Sequence, residues 1–312
     1  MQQPHLINNR YQIQRVIGQG GFGRTYLAAD RQRFGELCVL KKLLPIESTA
    51  AIARKSRELF EREAKVLYQI DHPQIPKFLA WFTERNQLFI VQEYIDGHTY
   101  FELLKMRQRQ GKAFAVDEVV QWLQDLLPVL EHIHSLNIVH RDISLGNIML
   151  PKGQSQPVLI DFGVVREVAS QIWPANVDRS THAGHASLVG KPGYSPPEQI
   201  RLGQCYPCSD LYALGVTAIT LLTGRDPTWL MASGSPPSPW QAYAKVSSHV
   251  AQILNKMVAE KPKNRYQSAS EALRALQALR PAVKVATSSA TPSKAVPPGA
   301  KPIVKQSVAD RK

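Results

Sequence analysis

Two periods of apolar residues run along the chain, one near 2 and one near 3.6; strands prevail up to about residue 95, with one helical stretch among them. From Tyr11 to Ile17 apolar and polar residues alternate, which predicts a half-buried strand. Thr25-Tyr26-Leu27 and Leu37-Cys38-Val39-Leu40 read as further strands, with a polar turn from Arg31 to Gly35 between them. From about Ala50 to Ile70 the period becomes helical: Ile52, Leu59, Phe60, Ala64, Leu67 and Tyr68 share a face. Asp71-His72-Pro73 ends that helix, since proline cannot continue it. Two more strands follow, Lys77 to Thr83 and Gln87 to Tyr94, joined by a Glu84-Arg85-Asn86 turn.

Beyond this point helices dominate. Val116 to Leu136 predicts a long amphipathic helix with Val119, Val120, Leu123, Leu126, Leu127, Leu130 and Ile133 on its apolar face. Pro128 should kink it or force a local adjustment. Leu211 to Leu222 is too short to span a bilayer and suits a buried core helix, with Asp210 placed to cap its start. Pro236 to Trp240 reads as a Pro/Ser-rich loop. Amphipathic helices resume around Val246 to Ala259 and Ser268 to Leu279. After Arg280, Pro, Ala, Ser, Thr and Lys dominate without a period, so residues 281–312 are expected to be a disordered basic tail.

The 312 residues can bury a large core, and the 44% apolar fraction is that of a globular protein. The net charge of +13 favours acidic partners such as nucleotide phosphates, nucleic acid, anionic lipid or acidic proteins, without choosing among them. The tail lacks interleaved aromatics for base stacking, so no specific nucleic-acid partner is expected. Met1 to Arg15 is polar and lacks the apolar core of a secretory signal. Cys38, Cys205 and Cys208 form no disulfide framework and suit a reducing compartment, hence an expected cytoplasmic location. Cys205-Tyr206-Pro207-Cys208 has no second pair at zinc spacing, so incidental thiols are expected there.

The candidate chemistry lies in one stretch. His140-Arg141-Asp142-Ile143-Ser144-Leu145-Gly146-Asn147 is followed by an apolar run, a turn from Pro151 to Gln156, a second apolar run, and Asp161-Phe162-Gly163. A hairpin of this kind can gather Asp142, Asn147 and Asp161 around one small volume. Their oxygens suit Mg²⁺, which shares hard ligands with substrate phosphates. Far upstream, Gly18-Gln19-Gly20-Gly21-Phe22-Gly23 sits between two strands. A dinucleotide fold would need a helix next, whereas strand, glycine loop, strand describes a flap over phosphates or simply a glycine-rich turn.

The two downstream motifs together resemble the catalytic loop H-R-D-x-x-x-x-N and the D-F-G of protein kinases, in particular the bacterial eukaryotic-like (Hanks-type) serine/threonine kinases. The resemblance implies an α+β, two-lobed kinase fold over residues 11–279. A small, mainly β lobe would span about 11–95, with one key helix, and a larger, mainly α lobe about 96–279. It implies transfer of the γ-phosphoryl group of ATP, with Mg²⁺, to Ser/Thr hydroxyls of protein substrates, the chain itself included, in trans. Asp142 would orient the acceptor hydroxyl, Asn147 and Asp161 would hold the metal, and Lys41 would meet the α- and β-phosphates while paired with Glu63. Glu58 and Glu61 would be a solvated face. Nucleotide contacts would come from Ile17, Gly18, Gln19, Gly20, Gly21, Phe22, Gly23, Arg24 and Thr25. The backbones of Glu93 and Ile95 would meet adenine, Met149 would lie beneath it, and Gln92 would be the gatekeeper.

Pro196-Pro197-Glu198 resembles the A-P-E motif, with Glu198 paired to Arg265, and Asp210 resembles the aspartate that anchors the catalytic-loop backbone. Ser180, Thr181 and Ser187 are candidate phosphorylation sites, with Arg141 ready to meet a phosphate. Two departures matter. Ser144 stands where serine/threonine members carry a lysine, and Lys191 stands where they carry a threonine. The expectation is an exchange in which Lys191 returns the ammonium and Ser144 the hydroxyl. The alternatives are a nucleotide-binding pseudokinase scaffold and a small-molecule phosphotransferase on a related fold.

Overall fold

The strands of the first region pair into one antiparallel sheet. They are β1 (Leu6–Ile7), β2 (Tyr11–Gly20), β3 (Gly23–Asp30), β4 (Glu36–Leu43), β5 (Phe78–Glu84) and β6 (Gln87–Glu93), in the order β1-β2-β3-β4-β6-β5. The computed structural model describes residues 6–20, 23–43, 50–85, 87–162, 190–228 and 239–278. The chain divides into a unit spanning residues 1–279 and a second spanning 280–312, which lies outside the described residues.

Helix α1 (Ala50–Tyr68) enters between β4 and β5. It buries Phe60, Ala64 and Leu67 and leaves Glu58 exposed. Phe60 and Leu67 belong to the same hydrophobic core as Ile90 of β6 and the helices that follow, and Phe60 meets Trp81 of β5 edge-on at 6.1 Å. A separate small core of Ile7, Tyr11, Ala28, Cys38, Leu40, Phe89 and Val91 lies on the sheet. Tyr11 stacks on Phe82 at 5.5 Å and Phe82 on Phe89 at 4.9 Å. Beside it the carboxylate of Asp30, 1% exposed, accepts from Arg10 Nε at 2.8 Å and Nη2 at 2.7 Å. Burial pushes this carboxyl up, but the Arg10 guanidinium and the Gln32 N–H outweigh it and hold it below the ordinary value.

The glycine motif differs from the expected loop. Strand β2 continues past Ile17 to Gly20, and β3 begins at Gly23, with Gly18 opposite Thr25 and Gly20 opposite Gly23. Two register slips, between Ile13 and Arg15 and between Val16 and Gly18, bend β2 as bulges do. At Gly23, whose φ is 157°, a side chain would collide with the Lys42 carbonyl, so only glycine lets β3 and β4 approach so closely.

The second region opens with β7 (Gly97–Thr99) and α2 (Tyr100–Gln108). The Thr99 hydroxyl caps α2 by accepting from Glu102 N–H at 3.2 Å, and the Glu102 carboxylate accepts from Thr99 N–H at 2.8 Å. Helix α3 (Val116–Ser135) runs uninterrupted through Pro128, which lies on its exposed side. Strands β8 (Ile148–Pro151) and β9 (Val158–Leu159) pair with β7 in a three-stranded sheet, order β7-β8-β9. The helices α4 (Pro197–Leu202), α5 (Pro207–Thr223), α6 (Ser248–Met257) and α7 (Ala269–Gln277) complete the region.

Helix α5 buries every residue from Cys208 to Leu222 and starts earlier than expected, with Pro207 in its first turn. At its start the Ser209 hydroxyl accepts from Tyr206 N–H at 3.0 Å, and the Asp210 carboxylate, expected to cap, instead accepts from the backbone N–H groups of His140 and Arg141. The expected loop around Trp240 is a short 3₁₀ turn, Pro239–Ala242. It seats Trp240 at 1% exposure, with Nε1 donating to Asn255 Oδ1 at 2.9 Å. Among the described residues no helix is long and apolar enough to cross a membrane.

Candidate active site

The loop from His140 to Asn147 hangs from the buried carboxylate of Asp210. One of its oxygens accepts from His140 N–H at 2.8 Å and the other from Arg141 N–H at 2.9 Å. His134 Nε2 meets the same carboxylate at 3.0 Å. Asp210 thus faces back from the first turn of α5 onto the loop backbone. Gln199 Nε2 donates to the Arg141 carbonyl at 2.8 Å, tying α4 to the same point.

His140 is fully buried. Its Nε2 lies 3.0 Å from the Ile160 carbonyl, and its Nδ1 accepts from Asp142 N–H at 3.3 Å. One nitrogen must donate and the other accept, which describes a neutral imidazole with its proton on Nε2. Burial pushes its pKa below the ordinary value, in the same sense. The ring also packs on Phe162 at 4.6 Å.

Asp142 is followed by a 3₁₀ turn, Leu145–Asn147, that aims Asn147 back at it. Asn147 Nδ2 donates to the Asp142 carbonyl at 2.7 Å and to Asp142 Oδ2 at 2.9 Å. The β8–β9 hairpin, with Ile148 opposite Leu159 and Met149 opposite Val158, closes the gap to the second acid. Ile160 N–H donates to the Asn147 carbonyl at 2.9 Å, so Asp161 follows immediately beside Asn147. Asp161 and Arg141 both hold left-handed backbone, with φ of 61° and 67°. For non-glycine residues that conformation is strained and recurs at functional sites.

Two lysines reach this cluster from opposite ends of the chain. Lys41, on β4, forms an ion pair with Asp161. Its Nζ also donates to Gln92 Oε1 at 2.5 Å. Lys191 Nζ donates to Ser144 Oγ at 2.7 Å, across 47 positions of sequence. The Lys191 backbone N–H donates to Ser195 Oγ at 2.8 Å, which fixes the segment that carries it.

The other expected residues fall as follows. Ile17, Gly18, Gln19 and Gly20 lie on β2, and Gly23, Arg24 and Thr25 on β3. Gly21, Phe22, Gly163, Ser180, Thr181 and Ser187 lie outside the described residues, as does the side chain of Glu63 on α1. Met149 is half-buried on β8. Glu93 N–H is committed to the Lys77 carbonyl at 2.9 Å. Ile95 follows β6, half-buried.

Glu198 and Arg265 form a buried, two-pronged pair, with Nη1 to Oε1 at 2.6 Å and Nη2 to Oε2 at 2.9 Å. Burial pushes the Glu198 carboxyl up, but Arg265 and the Ser209 hydroxyl outweigh it and hold it below its ordinary value. Burial also pushes the Cys208 thiol up, the opposite of what a reactive thiolate needs.

Sequence reasoning missed Gln74, whose Nε2 donates to the carbonyls of Pro157 at 2.8 Å and Asp125 at 3.2 Å. Its own carbonyl accepts from Leu159 N–H at 2.8 Å. Gln74 thereby pins the hairpin that carries the second acid, and no motif marks it.

The family model described as Protein kinase domain matches residues 11–276. Serine/threonine-protein kinase B of Synechocystis sp. is 38% identical over 274 residues, covering 87% of this chain and 47% of that protein. Serine/threonine-protein kinase PknA of Nostoc sp. is 38% identical over 277 residues, covering 87% of this chain and 48% of that protein. The chain therefore spans about half the length of these relatives. Among solved structures, the apo form of PpkA-294 is similar with a TM-score of 0.69 and 25% identity, covering 88% of this chain and 99% of that one. The PknI kinase domain of Mycobacterium tuberculosis has a TM-score of 0.66 at 24% identity, covers 88% of this chain and 97% of that one, and speaks to the fold alone.

Proposed function

Because the chain belongs to the protein kinase domain family, in its bacterial Hanks-type serine/threonine branch, we propose that it transfers the γ-phosphoryl group of ATP to serine and threonine hydroxyls of proteins, itself included. The observation that carries this most is the joint array of Asp142 bonded to Asn147 and Ser144 bonded to Lys191, on one short loop.

In this reading Asp142 accepts a hydrogen bond from the substrate hydroxyl and aims its oxygen at the terminal phosphorus. Asn147 donates through Nδ2 to Asp142, which fixes that carboxylate and turns the amide oxygen the other way. That oxygen, just before β8, and the Asp161 carboxylate, just after β9, are hard donors, as Mg²⁺ prefers. Asn147 and Asp161 would hold it, and when bound it neutralises phosphate charge. The remaining positive charge comes from the chain itself: Lys41 from the sheet and Lys191 from the segment before α4. Little covalent chemistry falls to the protein, so these groups act by position and charge. Autophosphorylation in trans and a cytoplasmic location belong to the same proposal, the latter resting on the free thiols of Cys38, Cys205 and Cys208.

The test is incubation with radiolabelled ATP and Mg²⁺, using a generic basic protein and the chain itself as acceptors. Label should enter serine or threonine with the native chain and vanish with Asp142→Ala. Equal labelling by the two proteins, or none by either, refutes the proposal.

A further inference from the structure

Lys41 and Gln92 stand on neighbouring strands. In the β4–β6 register Val39 lies opposite Gln92 and Lys41 opposite Ile90. Residues two apart on a strand share a face, and diagonal neighbours across a pair lie within reach of long side chains. Lys41 and Gln92 are such a diagonal pair. The Gln92 side chain is buried at 5% exposure, and its Oε1 accepts from Lys41 Nζ at 2.5 Å. On its other side the same ammonium meets Asp161.

The choice of amide matters. A partly buried ammonium is steadied by acceptors for its hydrogens, and a buried amide needs a partner for its oxygen. A carboxylate at position 92 would supply the acceptor but add a further negative charge to the one Asp161 already brings, and so weaken the field that a phosphate must feel. An amide oxygen fixes the direction of the ammonium without adding another negative charge. Both partners belong to one sheet, so the contact is set by strand register and does not depend on where helix α1 sits.

We infer that Gln92 is a positioning residue for Lys41, its amide oxygen aiming the ammonium from within the sheet. This rests on the nucleotide-binding reading given above. It gives the lysine a holder besides any carboxylate that α1 brings.

The experiment is a double-mutant cycle on the full chain, read as the Kd for ATP with Mg²⁺ by calorimetry and as KM and kcat. Gln92→Leu removes the acceptor at similar volume, and Gln92→Met does so at similar length should the leucine variant fold poorly. Loss of a hydrogen bond to a charged group should weaken ATP binding on the order of tenfold. In a Lys41→Ala background the same replacement should change nothing further, an outcome that a merely structural glutamine would not produce. Gln92→Glu should also weaken binding, and only while Lys41 is present. If Lys41→Ala weakens binding and Gln92→Leu weakens it by the same further factor with or without Lys41, this inference falls alone. If Gln92→Leu leaves native binding unchanged, it falls as well. If Lys41→Ala leaves binding unchanged, the nucleotide-site reading falls with it.

Discussion

Replacing Lys191 by alanine removes an ammonium that donates at 2.7 Å to Ser144, two residues beyond Asp142. In the proposed reaction its partner is charge developing on the transferred phosphoryl oxygens. Two unit charges about 4 Å apart interact by about 4 kcal/mol at an effective dielectric near 20. Only the part that grows toward the transition state accelerates the reaction, and single positioned donors are worth about 2.7–4 kcal/mol when removed. Each 1.36 kcal/mol is about tenfold, so Lys191→Ala should lose about 10²- to 10³-fold. The loss should fall on kcat, with KM for ATP moving only a few-fold, because Lys41 is left in place to meet the ground-state nucleotide. Initial rates with radiolabelled ATP and a saturating protein acceptor read it. The exchanged variant, Ser144→Lys with Lys191→Thr, should recover activity lost by Lys191→Thr alone. A kcat for Lys191→Ala within threefold of native would refute the exchange, and so would an exchanged variant no better than the single one.

Two further outcomes concern stability. Arg265 is fully buried and also donates to the carbonyls of Ala259 at 2.7 Å and Glu260 at 2.9 Å. Arg265→Ala leaves the Glu198 carboxylate buried without its counter-ion, so unfolding in urea should show a loss of about 3–5 kcal/mol; a loss below about 1 kcal/mol would contradict a buried pair. The second concerns acid. Burial lowers the His140 pKa, and burial with the neighbouring His132 lowers that of His72. The unfolded chain therefore takes up protons that these sites refuse, which makes stability fullest above their ordinary value of 6.5 and erodes it as pH falls below that. Glu198, whose pKa is lowered, keeps its pair through that window and loses it only below its ordinary 4.5. Urea unfolding from pH 8 to pH 5 should show falling stability, and a rise across that interval would be the contrary result.

The parts of this molecule that rest on local spacing were legible in the chain. The hairpin from Asn147 to Asp161 follows from two apolar runs and a turn, and α3 follows from its apolar stripe. The start of α5 was misread because its apolar run begins at Leu211, whereas the helix is opened by Pro207 and by Ser209, whose hydroxyl accepts from Tyr206 N–H, while Asp210 turns to the loop backbone. The Trp240 turn was hidden by surrounding Pro and Ser, and the partner of its indole N–H, Asn255, lies fifteen positions on. The Arg10–Asp30 pin, the Gln74 anchor and the Lys41–Gln92 bond all depend on strand register or on contacts 20 to 85 positions apart, which periodicity does not encode. The exchange of Ser144 and Lys191 was different. It required two departures from one family pattern to be read together, and their side chains do meet.

The placing of the site's strain follows from the same contacts. Arg141 and Asp161, one beside the acid of the loop and one the acid of the hairpin, both hold left-handed backbone. Each such residue costs about 1–3 kcal/mol and persists only where its surroundings over-determine it. At Arg141 the N–H is held by Asp210 and the carbonyl by Gln199. At Asp161 the preceding residue is held on both sides, its N–H by the Asn147 carbonyl and its own carbonyl by His140 Nε2. His140 bonds to Ile160 through one ring nitrogen and to Asp142 through the other, while its backbone hangs from Asp210. One buried imidazole therefore links the two strained turns, and it can do so only while neutral, since a second ring proton would leave Asp142 N–H without an acceptor. His140's share of the acid sensitivity and the bracing of the two strained turns then depend on the same ring proton.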